Sequence, residues 1–184
     1  MTAAPVHKDS ASKGHPLFDT VFGLPVHALV VHVVVVLLPL AAVGGAVVAV
    51  LPWARERYLI LITAIAIAVV PAVIVATKSG QQLQDRLNRT FGPGSAQEAQ
   101  LMEEHVRLGK NLLPWAIVLA AALVLLLAAV YLRRRPESPS WLRAGGYAAS
   151  VAVLVGSVLS IYWTVRIGDA GARAAWTDVV QSSN

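Results

Sequence analysis

Four apolar runs set the pattern of the chain: residues 24–51, 58–77, 112–132 and 145–167 are almost wholly Ala, Val, Leu, Ile and Gly, and the only charge in them is Arg166 at the end of the fourth. About 20 helical residues cross the roughly 30 Å hydrocarbon layer of a bilayer, and each run is long enough to do so. Val and Ile are frequent enough to suggest strands in water. In lipid an open strand leaves its backbone groups unsatisfied, so each run is expected to be a helix. The pattern predicts an all-α fold: an integral membrane four-helix up-and-down bundle, with a partly helical extracytoplasmic loop between helices two and three.

The polar stretches between the runs fix the rest of the plan. Residues 1–22 form a polar N-terminal tail rich in small residues, residues 23–176 the transmembrane domain, and 177–184 a C-terminal tail. No A-x-A-like cleavage site follows the first apolar run, which is too long for a signal-peptide core, so the first helix is expected to stay. In the long connection from Lys78 to Lys110, "SAQE" at Ser95 to Glu98 has the form of a capping box after the turn "FGPG". A helix should start near Ala96 and run through His105 into the third span, its inward stripe made of Leu101, His105, Leu108 and Leu112. "TKSGQQLQDRLN" extends the second span with helical spacing at Thr77, Gln81 and Gln84. Pro39 and Pro71 are expected to kink the first two helices. Gly44 and Gly45 allow close approach of another helix, either within the chain or across a homodimer.

Charge gives direction. The short loops "PWARER" and "RRRPESPSWLR" carry Arg55, Arg57, Arg133, Arg134, Arg135 and Arg143, whereas the long connection offsets its basic residues with Asp85, Glu98, Glu103 and Glu104. Arg-dense short loops mark the cytoplasmic face, so both termini and the long loop are expected outside the cell membrane. Aromatic belts agree with the span ends: Trp53, Tyr58, Tyr131, Trp141 and Tyr147 at one interface, Trp115, Tyr162, Trp163 and Trp176 at the other.

Composition supports this assignment. Hydrophobic residues make up 57% of the 184 residues and charged ones 14%, with a mean hydropathy of +0.65, against roughly 45 to 50% apolar in a soluble domain. The formal net charge of +5 is gathered at the ends of the spans rather than in a nucleic-acid stripe, which points to membrane lipids as partners and away from nucleic acid. Cysteine is absent, so disulfides, iron–sulfur ligation and c-type haem attachment are excluded. No Ser-His-Asp arrangement, phosphate-cradling glycine loop or H-E-x-x-H helix occurs, which leaves hydrolase and nucleotide-binding readings without support.

Polar residues inside apolar spans are costly and face a bundle interior or a cavity. In an up-and-down bundle the start of helix one, the end of two, the start of three and the end of four share one face, where His27, His32, Thr77, Gln81, His105, Arg166 and Asp169 converge. His27 and His32 are five apart, about 140° around a helix, so they do not form an i, i+4 metal pair. One of them opposite His105 would give a b-type haem its two axial imidazoles, with Arg166 free to hold a propionate. A metal site would draw on His27, His32, His105 and Asp169. The plain alternative is that these histidines only tie helix ends together. Arg166 and Asp169, three apart, suit a local ion pair or snorkelling. His7 and His15 lie in the N-terminal tail, where a solvated role outweighs metal binding.

Four motifs resemble those of a known family. "LPVHALVVHVVVVLLPL" resembles L-P-x-H-P-L-x-V-H followed by an aliphatic run and L-L-P-L, with His27 and His32 kept and Ala28 in place of proline. "ATKSGQQL" is similar to T-x-S-G-E-x-L, with Gln81 replacing Glu. "HVRLGKNLLPW" matches H-x-x-L-G-x-x-L-L-P-W through His105, Gly109, Pro114 and Trp115. "VRIGDAGARAAW" is similar to V-R-I-G-H-S-G-A-K-A-V-W, with Arg166, Gly168, Gly171, Ala172 and Trp176 kept and Asp169 in place of His. The family is the actinobacterial branch of domain of unknown function 2231, predicted membrane proteins, and the resemblance spans Gly23 to Trp176. It implies the four-helix membrane fold and assigns no activity.

The expected function is a small multi-pass membrane protein with a His-lined site at the extracytoplasmic mouth, binding b-type haem or a metal for electron transfer or redox sensing. Two other classes fit the same pattern: a non-catalytic membrane module that docks a partner protein, and an oligomer that passes an ion or small solute.

Overall fold

A computed structural model describes residues 20–21, 24–92, 96–136 and 139–181. The tail with His7 and His15, and Ser95 of the capping box, lie outside the described residues. Among the described residues the fold is all-α apart from a two-residue antiparallel ladder, β1 (Thr20–Val21) with β2 (Leu24–Pro25), just before the first helix. Five helices follow among them: α1 (Val26–Val50), α2 (Pro52–Phe91), α3 (Ala96–Gly109), α4 (Leu112–Leu132) and α5 (Trp141–Gln181). Four candidate spans, in α1, in α2, over α3 and α4 together, and in α5, are long and apolar enough to cross a membrane, as the four runs require.

Proline and arginine shape the first hairpin. Pro52 lacks an N–H and opens α2, while Leu51 is extended between the two helices. Arg55 then folds back on α1: its Nε donates to the Val48 carbonyl at 2.8 Å and Nη2 donates to the Ala49 carbonyl. Two of the carbonyls that the end of a helix leaves without a partner are thereby satisfied. Pro39 and Pro71 sit inside α1 and α2, and neither helix is interrupted. The 40-residue α2 continues well past its apolar stretch and ends at Gly92, whose φ of 83° is left-handed and whose N–H bonds the Asn88 carbonyl.

The third span differs from expectation. A single helix from Ala96 through His105 was predicted to enter it, but α3 closes at Gly109 and α4 restarts at Leu112, with Asn111 N–H bonded to the Leu108 carbonyl at 2.9 Å. Pro114 falls in the first turn of α4, where its missing N–H has no intrahelical partner to lose; since Pro39 and Pro71 leave their helices whole, proline alone does not account for the break. Leu108 and Leu112 of the expected stripe are buried.

The four long helices form a ring in the order α1, α2, α4, α5, each packed on the next and α5 closing on α1, while α1 and α4 barely touch; α3 lies mainly against α5. Leu38, Val69, Val73, Leu119, Leu123, Leu126 and Val153 fill the centre. Small residues bring the backbones together. A Cβ on Gly156 would stand 3.2 Å from Cα of Leu119, and one on Gly45 would be 3.3 Å from both Val153 and Ser157. Gly44 faces Ile62, so the Gly44–Gly45 pair serves packing inside the chain. The outward faces of the spans are aliphatic, with Val36, Leu61, Leu125, Val158 and Val165 exposed, as lipid requires. At the arginine-loop end, Trp53, Tyr58, Tyr131, Trp141 and Tyr147 are exposed in the expected belt.

Candidate functional site

At the opposite end of the bundle the helices part around a cavity of about 420 Å³. Its walls come from the start of α1 (Val31, Val34), the second half of α2, from α3, from Leu112 opening α4, and from α5 near Ile167. Four of the residues expected to converge line it: His27, Thr77, Gln81 and His105. No Asp, Glu, Lys or Arg is among the described lining residues.

His27 is turned onto the neighbouring helix. Its Nδ1 lies 2.9 Å from the Ala76 carbonyl and 3.5 Å from Ser79 Oγ. As donor to the carbonyl, Nδ1 carries a ring proton, so in the neutral ring Nε2 is the nitrogen with the lone pair. His105 does the same on the other side of the bundle. From α3 its Nδ1 donates to the Ile167 carbonyl of α5 at 3.2 Å. Neither Nε2 has a hydrogen-bond partner among the described residues. A main-chain carbonyl on the far nitrogen is the usual support of a histidine that ligates a metal, because it fixes the tautomer and the ring plane.

The other polar groups divide into satisfied and free. Thr77 Oγ1 donates to the Val73 carbonyl and Thr164 Oγ1 to the Ser160 carbonyl, both within their own helices. The half-buried amides of Gln81 and Gln84 line the cavity without a hydrogen-bond partner among the described residues. Free polar capacity therefore consists of two imidazole nitrogens and two amides in an apolar wall. Two of the lining residues are exposed, Val35 on α1 and Gly168 on α5.

The remaining candidates stand away from the lining. His32 is exposed, and its Nδ1 bonds the Ala28 carbonyl one turn back on the same helix. Arg166 is exposed and stacks over Tyr162, 5.9 Å from the ring centroid, with a 3.3 Å bond to its hydroxyl. The ion pair expected between Arg166 and Asp169 is not formed. Asp169 pairs instead with Arg173 at 2.8 Å, both exposed, since an i, i+4 spacing aligns the two side chains on one face. Among the described residues no group of three or more His, Cys, Asp or Glu side chains is placed to hold a metal ion. Met102 belongs to the lining without having been singled out in the sequence. Gln84 was marked there only by its helical spacing from Gln81, and Gly171 only as a matching position of the fourth motif; neither had been placed at the site.

A four-helix, multi-pass membrane protein with an apolar, doubly histidine-lined cavity at one end is thus defined by its own geometry. Residues 23–184 match the family described as "Predicted membrane protein (DUF2231)". The chain belongs to that family of membrane proteins, whose function is unknown. No curated protein and no solved structure matches it.

Proposed function

We propose that the cavity binds a b-type haem between His27 and His105, and that the protein carries electrons or senses redox state at the extracytoplasmic side of the cell membrane. One observation carries this reading: two imidazoles, each held through Nδ1 by a carbonyl of a different helix and each with an Nε2 unpartnered among the described residues, line one apolar cavity. The donor set favours haem over a bare metal ion. Two histidines without a third protein ligand leave a zinc or copper ion short of donors, whereas a porphyrin brings four nitrogens of its own and needs only axial ligands.

The other features fit. The volume falls within the range of ligand pockets, roughly 300 to 1,000 Å³. The aliphatic wall suits the macrocycle. Gln81 and Gln84 can donate amide hydrogens to carboxylates at the ligand's polar edge. When bound, the iron would exchange one electron between its ferric and ferrous states. The chain's own part is to hold both ring planes, keep both Nε2 atoms unprotonated and exclude water.

The test is an absorption spectrum, oxidised and dithionite-reduced, of protein purified in mild detergent from cells supplied with a haem precursor, with metal analysis on the same sample. Expected is a Soret band with sharp reduced α and β bands, lost in both His27→Ala and His105→Ala and kept in His32→Ala. A folded, colourless, metal-free preparation overturns the reading and turns attention to docking of a partner protein. Reporters fused to each loop test the side of the membrane.

A further inference from the structure

The two histidines are seated in the same way, and the device repeats. His27 bonds the carbonyl of Ala76, and four residues later in that helix stands Gly80. A Cβ built on Gly80 would lie 2.8 Å from His27 Cε1 and 3.0 Å from Nδ1. His105 bonds the carbonyl of Ile167, and four residues later stands Gly171, whose Cβ would lie 2.9 Å from His105 Cε1 and 3.1 Å from Nδ1. Helix geometry explains the common spacing. The carbonyl of residue i points along the axis toward residue i+4, so a ring that bonds this oxygen from outside the helix lies where the side chain of i+4 would begin. Glycine there leaves room for the ring.

The bundle repeats along with the seats. α1 with α2 makes one hairpin, and α3 and α4 with α5 make the other. Each first arm carries the histidine, and each second arm carries the carbonyl and the glycine. In the ring of helices α1 packs on α2 and α5, α4 packs on α5 and α2, and the diagonal pairs scarcely meet, as two related hairpins around an axis along the bundle would do. The halves are not identical. Ser79 adds a hydroxyl beside His27, where the second hairpin has the buried Ala170. Gly168, three residues before Gly171, supplies an internal contrast, because a Cβ there would meet nothing within 4 Å.

We infer that the chain is built from two copies of one half-site, and that Gly80 and Gly171 are positioning residues which seat the two imidazoles so that a single ligand is held from both hairpins. The inference rests on the haem reading only for the identity of that ligand. A ring displaced by a methyl group loses its carbonyl bond, and with it the fixed tautomer and the direction of Nε2. Loss of such outer support typically weakens metal binding by about 10- to 100-fold.

The experiment uses the full-length protein in detergent with ¹⁵N-labelled histidine, compared with Gly80→Ala, Gly171→Ala and the control Gly145→Ala, a glycine of α5 outside the cavity lining whose Cβ would also meet nothing within 4 Å, followed by titration of each with haem b. In their neutral form the rings of His27 and His105 should both show protonated Nδ1 and unprotonated Nε2. Gly80→Ala should shift the ring signals of His27, Gly171→Ala those of His105, and each should weaken haem binding by at least about tenfold, while Gly145→Ala leaves signals and affinity as in the parent. Unchanged ring signals in both seat variants, or equal shifts in Gly145→Ala, overturn the inference. If a seat variant does not fold, the parent protein decides: an Nε2–H tautomer on either ring overturns the seats. Seat-specific shifts in a protein that takes up no haem retire the haem reading and leave the seats standing.

Discussion

His27 reaches across the first hairpin to Ala76, Nδ1 to carbonyl oxygen at 2.9 Å, and so ties the start of α1 to the far half of α2. The bond joins two helices within the chain, which makes part of the site a structural clasp. His27→Ala should therefore lower the stability of the unliganded protein. Cross-helix hydrogen bonds in membrane proteins contribute about 0.6 kcal/mol on average and up to about 1.7. A loss of about 1 kcal/mol is expected, read from denaturant unfolding in detergent. His32→Ala should change stability by less than half as much, because His32 bonds only its own helix.

Arg55 closes the opposite end of the same hairpin. Its guanidinium spans the carbonyls of Val48 and Ala49 with two separate nitrogens, a geometry that a single ammonium cannot copy. Arg55→Ala should cost about 1 kcal/mol by leaving the end of α1 uncapped. Arg55→Lys should recover only part of that loss in the same unfolding measurement.

Two serines on α5 should respond in opposite directions. Ser157 is 2% exposed, and its hydroxyl has no partner among the described residues. Ser160 is equally buried and donates across the helix pair to the Trp115 carbonyl at 3.4 Å. An unpaired buried hydroxyl is a burden of about 1 kcal/mol or more, so Ser157→Ala should be neutral or stabilising. Ser160→Ala should destabilise by about 0.6 kcal/mol. Equal losses in the two variants would show that both hydroxyls are bonded.

Asp169→Asn provides a surface comparison. Its ion pair with Arg173 is exposed on both sides, at 55% and 68% of the side-chain area. Exposed i, i+4 pairs contribute about 0.3 to 0.5 kcal/mol. The variant should leave the unfolding transition within that margin, and haem titration of it should match the parent. A tenfold loss of haem affinity in Asp169→Asn would place this carboxylate at the site.

Among the residues expected to converge, His27, Thr77, Gln81 and His105 could be brought together from the sequence because alternation of up and down helices dictates which ends meet. The choice between His27 and His32 could not. Five residues of helix separate them by about 140°, but which of the two faces inward depends on where α2 lies. In the structure the carbonyl of Ala76 stands within reach of the first ring, and the second remains outside. The seats were hidden for a related reason. Gly80 and Gly168 look alike in the sequence, yet a Cβ on the first would strike a ring and a Cβ on the second would meet nothing.

The sequence by itself determined the membrane, the four helices and the end of the bundle where polarity collects, since hydrophobic run length and charge-free composition act locally along the chain. Pro114 marks the first turn of α4, but Pro39 and Pro71 leave their helices whole, so the break before α4 was not legible from proline alone. Tertiary structure alone decided which imidazole enters the cavity, which glycine makes room for it, and that Asp169 turns to Arg173 and away from the site. Each of these outcomes depends on the rotation of one helix against another. That rotation is set by side-chain packing between segments distant in the chain, as where Gly45 meets Ser157 and Gly156 meets Leu119.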